Sequence, residues 1–381
     1  MLFSGGAFIK VDEARCLNYL HNGVGCLHCT SLCPGGALTV IEDKIFLERE
    51  QCLGCGVCFS NCPTEVFASA QWEETAIISE VKQQSAKTTQ FFCAYHDEPY
   101  LSKNDKDKGA IQITACLAAV SKGAWYEIGL LTEVELRLEK CNECPMQKCT
   151  ERLKYSLDTA SEWLMATGHT PKFSLIHVPE EIQRRKKLKA VSSGMKVTSR
   201  RDLFLSLFNQ GKEMIRKVRE TGSAGHRNGK DTEKPLLPGW QLRLEKVYTD
   251  NDRGGENPAW WPSILKKLTC VNCGLCTKNC PSGALGYQER EGTVYHTFNS
   301  GRCLDCRICE LFCPANSIVR GRGPNPRPFQ TEMIYETKVK RCRKCGHQTV
   351  KNKEQLCYWC KHEAKEEDMI ADVKNQLLMG L

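Results

Sequence analysis

The chain has 381 residues, 26% of them charged and 41% hydrophobic, and 53 Lys and Arg against 45 Asp and Glu give it a formal net charge of +8. Its 43.0 kDa leave room for several domains, and a mean hydropathy of -0.42 with no run of eighteen or more apolar residues excludes a bilayer-spanning stretch from the reading. Its 25 cysteines would imply a disulfide scaffold only in a secreted chain. The start, MLFSGGAFIKVDEARC, shows neither an apolar secretory segment nor a twin-Arg signal, so a cytoplasmic protein with reduced thiols is expected, reaching the inner face of a membrane only through partner subunits.

Residues 1–76 carry the first cysteine pattern. Phe8 to Val11 is predicted as a strand, and Leu38 to Ile41 with Ile45 to Leu47 as a hairpin about Glu42, Asp43 and Lys44. CLGCGVCFSNCP at Cys52 to Pro63 is C-x2-C-x2-C-x3-C-P, the ligand run of a bacterial-type ferredoxin cluster site. Three closely spaced thiolates wrap one cubane, with Gly54 and Gly56 allowing the turns, and the fourth Cys reaches a second cluster. A stretched version occupies Cys16 to Pro34, where nine residues, Leu17 to Gly25, stand between the first two cysteines. Loop closure grows only slowly in cost with length, so that insertion is compatible with a cluster. Cys16, Cys26, Cys29 and Cys62 are assigned to one [4Fe-4S] cluster, and Cys33, Cys52, Cys55 and Cys58 to its neighbour.

Residues 88–180 read differently. Thr89 to Ala94, Ile111 to Ala115, Val134 to Leu138 and Phe173 to Val178 are strand-like, and Leu117 to Leu131 and Met146 to Thr167 are helix-like, which predicts a small parallel α/β domain. Of the five cysteines Cys93, Cys116, Cys141, Cys144 and Cys149, three follow predicted strand ends directly or nearly so, where open α/β sheets bind ligands. A fifth centre on Cys93, Cys116, Cys141 and Cys144 is the expectation, with Cys149 as an alternative ligand; His96, three residues after Cys93, could substitute as a ligand but is expected to be an ordinary surface residue. The residues alone leave iron-sulfur, zinc and buried structural thiols open.

Residues 181–258 are expected to be a basic linker. Residues 184–234 hold fifteen Lys or Arg against five Asp or Glu, and Arg201 to Val218 is predicted as an amphipathic helix capped by Ser199, with Leu203, Phe204, Leu207 and Phe208 on one face. Residues 259–320 repeat the first pattern as CVNCGLCTKNCP and CLDCRICELFCP. Cys270, Cys273, Cys276 and Cys313 are assigned to a third cluster, and Cys280, Cys303, Cys306 and Cys309 to a fourth. Ser263 to Leu268 is expected to be a short helix, Val294 to Phe298 a strand, and Trp260 with Trp261 a cover for the cluster, the alternative being an interface anchor. After a linker at Gly321 to Pro328, residues 338–381 bring Cys342, Cys345, Cys357 and Cys360 in C-x2-C-x11-C-x2-C spacing, which suits structural zinc in a ribbon, with rubredoxin-like iron the alternative. Lys361 to Leu381 is predicted as a helix.

The fold class expected is therefore multidomain, α+β and α/β: two ferredoxin-like modules flanking a small parallel α/β domain, plus a C-terminal zinc ribbon. The cysteine runs resemble those of polyferredoxin-type iron-sulfur subunits with bacterial-type 2[4Fe-4S] modules. The middle region resembles, more loosely, the delta subunit of methanogen hydrogenases, which implies a [2Fe-2S] fifth centre where the residues also permit [4Fe-4S]. That resemblance implies an electron-transfer subunit of a hydrogenase, dehydrogenase or heterodisulfide-reductase-like complex, with other subunits as partners and no catalytic residues of its own. No Gly-rich nucleotide motif is present. Four clusters with four thiolates each contribute about -8 and cancel the formal charge, so no nucleic-acid partner is expected. A nucleic-acid-associated or regulatory iron-sulfur protein, drawing on the basic stretch, and a redox enzyme with its centre in the middle domain are the alternatives.

Overall fold

The computed structural model describes residues 9–21, 24–69, 72–96, 107–178 and 235–363, with backbone alone at 191–192. The predicted helix at Arg201 to Val218, nearly all of the basic stretch and the tail beyond residue 363 lie outside the described residues. No described helix is long and apolar enough to cross a membrane.

The N-terminal unit pairs β1 (Ile9–Val11) antiparallel with β4 (Phe67–Ser69), and β2 (Leu38–Ile41) with β3 (Lys44–Leu47). Glu42 and Asp43 both take positive φ, 48° and 65°, as a two-residue hairpin turn with native strand twist requires. Ile9, Leu38, Ile45 and Phe67 turn inward and pack with Cys16, Cys29, Cys58 and Cys62. The short helices α1 (Leu17–Leu20), α2 (His28–Ser31) and α3 (Val57–Asn61) each lie beside a cysteine loop.

After α4 (Glu74–Gln84) comes a five-stranded parallel sheet in the order β8-β7-β5-β6-β9, from β5 (Thr88–Cys93), β6 (Lys108–Ile113), β7 (Glu133–Arg137), β8 (Phe173–Ile176) and β9 (Val191–Ser192). Phe91, Ile111, Ile113, Trp125, Ile128 and Leu136 form its core. The predicted helix from Leu117 divides into a 3-10 turn, Leu117–Ala119, and α5 (Lys122–Gly129), because Ser121 starts a new helix by accepting from the Ala124 amide. Likewise Gln147–Cys149 is 3-10 before α6 (Thr150–Ala166).

The predicted linker ends in a helix, α7 (Gly239–Asp250), whose Trp240, Leu244 and Tyr248 recur at helical spacing and pack on the sheet domain. Ser263 to Leu268 is not helical. Trp260–Lys266 is strand β10, with α8 (Leu275–Lys278) following it. Its partner is β13 (Ile318–Pro324), so the first half of the expected Gly-Arg-Pro linker, Gly321 to Pro324, is strand as well. The pairing explains the error: burial of Trp261 on one face and of Pro262 and Ile264 on the other, in register with a distant strand, outweighs local helix propensity.

β11 (Leu285–Arg290) and β12 (Thr293–Asn299) form a hairpin about Glu291 and Gly292, φ 50° and 73°; after it come α9 (Ile308–Leu311), β14 (Thr331–Arg341), β15 (Gln348–Val350) and α10 (Tyr358–His362). One antiparallel sheet, β11-β12-β14-β15, joins the second cysteine unit to the C-terminal cysteines. The molecule is thus a multidomain chain of several sheets, ending in a compact four-cysteine group.

The units pack against one another. Trp261 stacks on Trp163 of α6 at 4.9 Å and 3°, with Tyr248 and Phe329 edge-on. It anchors a junction within the chain, lining a pocket together with Cys62 and Cys303, while Trp260 is 54% exposed. Leu17 and Val24 of the first unit pack with Leu275, Ile308 and Phe312 of the second.

Candidate functional site

Each cysteine loop depends on residues that accept a left-handed backbone. Gly54 and Gly56 (φ 65° and 74°), Asn272 and Gly274 (54° and 81°), and Asp305 and Arg307 (55° and 63°) hold matching places in the three regular runs. Glycine is used where it is free, and Asn, Asp and Arg take up the strain elsewhere.

These loops bring thiols together in buried sets. Burial pushes Cys26 up to about 11 and Cys29 to about 12, helped by the negative charge of Cys62 and Cys16. Burial likewise raises Cys52, with Cys55 and Cys33 adding to it, and Cys58, with Cys55, Cys52, Cys29 and Cys33. In the second unit burial lifts Cys273 to about 11 beside Cys276, Cys313 and Cys270. Cys309 goes to about 12 through burial, eased by Arg320 and reinforced by Cys303, Cys306 and Cys280. A cation entering among thiols so crowded would draw off their protons.

The surroundings fit iron-sulfur clusters. Backbone amides donate to the sulfur four residues back at Ala37 to Cys33 (3.3 Å), Val66 to Cys62 (3.4 Å) and Ser317 to Cys313 (3.2 Å), as ligand thiolates require. A small cavity is lined by Cys270, Cys273, Cys276 and Cys313 with Phe312 and Ile318. At Cys280 the pattern changes, since the Ala284 amide turns to Ser282 Oγ, itself 3.7 Å from the sulfur.

The inserted loop after Cys16 is held by a residue that spacing arguments miss. Asn18, 3% exposed, accepts from the Cys26 amide at 2.8 Å and donates to the Cys26 carbonyl at 2.9 Å. That bidentate clasp closes the insertion and returns Cys26 to the neighbourhood of Cys16. A lone Asn two residues after a cysteine is the only signal of it in the sequence.

In the sheet domain Cys93 ends β5, Cys116 follows β6, and Cys141 and Cys144 follow β7, all at the carboxyl edge. Burial pushes Cys141 up to about 12, with Cys116, Cys93 and Cys144 adding their charge, and Cys93 to about 11 beside Cys116 and Cys144. His96 is not a surface residue: it is 1% exposed, with Nδ1 3.6 Å from Cys93 Sγ and Nε2 3.3 Å from Glu139. Cys149 is fully buried, and hydrogen bonds to the sulfurs of Cys116 and Cys55 hold it protonated while drawing both of those thiols down.

At the C-terminus the sulfurs of Cys342, Cys345, Cys357 and Cys360 all lie within 4.8 Å of one another. Burial works to raise Cys342, but the amides of Cys357, Cys345 and Lys344 outweigh it and bring the thiol to about 6. An all-sulfur tetrad of this size matches a single four-coordinate metal ion.

Comparison with known proteins agrees with this chemistry. Residues 269–317 match the 4Fe-4S dicluster domain family, so this chain holds at least one dicluster iron-sulfur site. A selenate reductase subunit of Mesobacillus selenatarsenatis is 31% identical over 114 residues, 27% of this chain and 38% of that protein. A polypeptide of the anaerobic dimethyl sulfoxide reductase of Escherichia coli is 29% identical over 86 residues, 21% of this chain and 40% of that one. The present sequence therefore spans about two fifths of the length of these two reductase subunits. An uncharacterized ferredoxin of Methanocaldococcus jannaschii is 32% identical over 56 residues, which make up 73% of the ferredoxin and 15% of this chain. With most of that ferredoxin matched and a dicluster domain at 269–317, this protein belongs to the iron-sulfur ferredoxins.

Proposed function

We propose that this protein relays electrons between partner subunits of a redox complex, through four [4Fe-4S] clusters in two ferredoxin modules and a fifth iron-sulfur centre in the sheet domain. The first two clusters take Cys16, Cys26, Cys29 and Cys62, and Cys33, Cys52, Cys55 and Cys58. The other two take Cys270, Cys273, Cys276 and Cys313, and Cys280, Cys303, Cys306 and Cys309. The fifth centre takes Cys93, Cys116, Cys141 and Cys144, leaving Cys149 as a thiol between it and Cys55. Zinc on Cys342, Cys345, Cys357 and Cys360 is structural. Clusters of this kind pass electrons one at a time, and the protein's part is to fix their order, exclude water and set their potentials.

The observation that carries the reading is the closeness of Cys306 to Cys26, near enough for its charge to raise that thiol across the apolar seam. With Cys58 near Cys29 and Cys144 near Cys55, the sets follow one another from the sheet domain to the second unit without a break. The relatives named as reductase subunits support a place beside catalytic subunits that this chain does not itself supply.

Iron and acid-labile sulfide analysis of anaerobically isolated protein, with identification of copurifying chains, tests the proposal. At least about sixteen of each per chain are expected from four cubanes, and more with the fifth centre. A value near eight, or a chain that isolates alone and turns over a substrate, would sink it.

A further inference from the structure

The two cysteine units share one register, so their matching residues can be compared. Val11 pairs with Phe67, the fifth residue after Cys62, and Lys266 pairs with Ile318, the fifth after Cys313. In the hairpins Leu38 pairs with Leu47 and Leu285 with Phe298, which makes Ile45 the counterpart of His296. Val11 and Ile45 belong to the apolar packing around Cys16, Cys29 and Cys62. Around Cys270, Cys276 and Cys313 the same two places hold a lysine and a histidine.

These polar residues form a closed network. The Lys266 ammonium donates to Cys276 Sγ at 3.1 Å and to His296 Nδ1 at 2.9 Å, with Cys270 Sγ at 4.0 Å. An Nδ1 that accepts from an ammonium leaves the imidazole proton on Nε2, which donates to Asn272 Oδ1 at 2.9 Å. Asn272 stands between Cys270 and Cys273 in a left-handed conformation, so the network reaches back into the ligand loop. His296 is 1% and Asn272 5% exposed. The fold does not need the network, because the first unit builds the same pairing with valine and isoleucine. Placing an ammonium here costs solvation unless negative sulfur compensates it.

We propose that Lys266 is a positioning residue that raises the reduction potential of the cluster on Cys270, Cys273, Cys276 and Cys313, making it the electron-collecting end of the relay. This rests on the ferredoxin reading above. In the step concerned, the cluster on Cys280, Cys303, Cys306 and Cys309 goes from [4Fe-4S]+ to [4Fe-4S]2+, and its neighbour takes that one electron and goes from 2+ to +. No proton moves in this step. The added electron makes the core and its thiolates more negative. A fixed cation 3.1 Å from one ligand sulfur therefore stabilises the reduced form more than the oxidised form. Arg320 acts less on the donor cluster, because Asp305 pairs with its guanidinium.

The test is an EPR-monitored redox titration of the whole chain with Lys266→Met, which keeps length and removes charge. One cluster should move to lower potential by at least about tenfold in its reduced-to-oxidised ratio, about 59 mV for one electron. Lys266→Arg should hold the wild-type value, and the pair Lys266→Val with His296→Ile, copying the first unit, should give the same drop as Lys266→Met. Unchanged potentials at full iron content overturn the inference and leave the relay standing. If Lys266→Met loses iron, the paired variant is the one titrated, and loss of iron there too makes Lys266 structural and also overturns it. Failure of the ferredoxin reading looks different: Cys276→Ala would then leave the iron content and spectrum of the chain unaltered.

Discussion

The backbone amide of Cys116 donates to the carbonyl of Cys55 across 3.0 Å. A loop at the carboxyl edge of the parallel sheet is thereby tied, main chain to main chain, to the Cys52 run. Ser60 Oγ adds a bond to the Ala118 carbonyl at 2.7 Å, and Arg152 reaches the Ser60 carbonyl at 2.6 Å. The sheet domain and the first cysteine unit are one body at this edge, so a centre on Cys93, Cys116, Cys141 and Cys144 would stand at a fixed separation from Cys55.

Gly56 makes that approach possible. It has φ 74°, and an added Cβ would lie 2.9 Å from Ala119 Cβ and 3.3 Å from Ala115 Cβ. Gly56→Ala should lose roughly 2–3 kcal/mol, about half from the left-handed backbone and the rest from the wedge. Gly274→Ala is the control, because φ is 81° there and nothing lies within 4 Å. Chemical denaturation of both compares the terms, and equal losses would show that the close packing at Gly56 contributes nothing.

Arg243 joins α7 to the sheet domain by bonding Glu127 at 2.9 Å and Glu74 at 3.5 Å. Burial holds the Glu74 carboxyl above the usual range, while bonds from Ser121 and Arg243 pull it back. Arg243→Met strands two carboxylates and should lose on the order of 3 kcal/mol. Without the guanidinium the Glu74 carboxyl should rise further, so the folded variant binds more protons than the unfolded chain above 4.5. Its stability should fall as pH rises through that window, relative to wild type. Denaturation at pH 5 and pH 8 reads this, and a deficit independent of pH would refute the coupling.

Cys342, Cys345, Cys357 and Cys360 should release one metal ion to a chelator, with melting confined to the C-terminal knuckle and the β14–β15 pairing beside it. Cys360 is pushed up to about 12, chiefly by its bond to Cys345 and then by burial. Metal uptake must therefore expel its proton, and affinity should increase with pH. Cys357→Ala should abolish zinc while leaving cluster absorbance in place. A ferric tetrathiolate EPR signal lost in that variant would instead identify iron.

The cysteine spacing makes the loops legible, because a C-x2-C-x2-C-x3-C-P run admits little besides a cluster loop, and the alternating Leu38–Leu47 hairpin follows from period two. What stays hidden depends on contacts distant in sequence. Trp260–Lys266 is a strand only because Ile318–Pro324 lies beside it. Trp261 packs on Trp163 almost a hundred positions away, and the burial of His96 depends on Glu139. Helices α4 and α7 carry ordinary apolar periodicity at Ile77, Ile78 and Val81, and at Trp240, Leu244 and Tyr248, but α4 falls at an expected domain boundary and α7 inside the expected linker. Lys266 reads as one of two surface lysines before Cys270, since nothing local says that it turns toward sulfur.

The seam between the two cysteine units gives the last test. Val24, 7% exposed, packs with Leu17 against Leu275, Ile308 and Phe312, beside Cys26 and Cys306. Val24→Asp would put an unpaired carboxylate into this apolar contact, at a cost on the order of 3 kcal/mol, without removing a cysteine. Both units should keep their iron, and dithionite should still reduce every cluster. Electron exchange between the units should slow, because the water admitted and the added distance act on the Cys26–Cys306 step alone. Val24→Ile should behave as wild type. The measurement is donor-to-acceptor turnover in the assembled complex, beside each partner's half-reaction with artificial dyes and the relaxation enhancement between reduced clusters. If turnover and relaxation enhancement both stay at wild-type values while denaturation confirms the weakened seam, electrons do not cross between Cys26 and Cys306, and the two units serve separate paths.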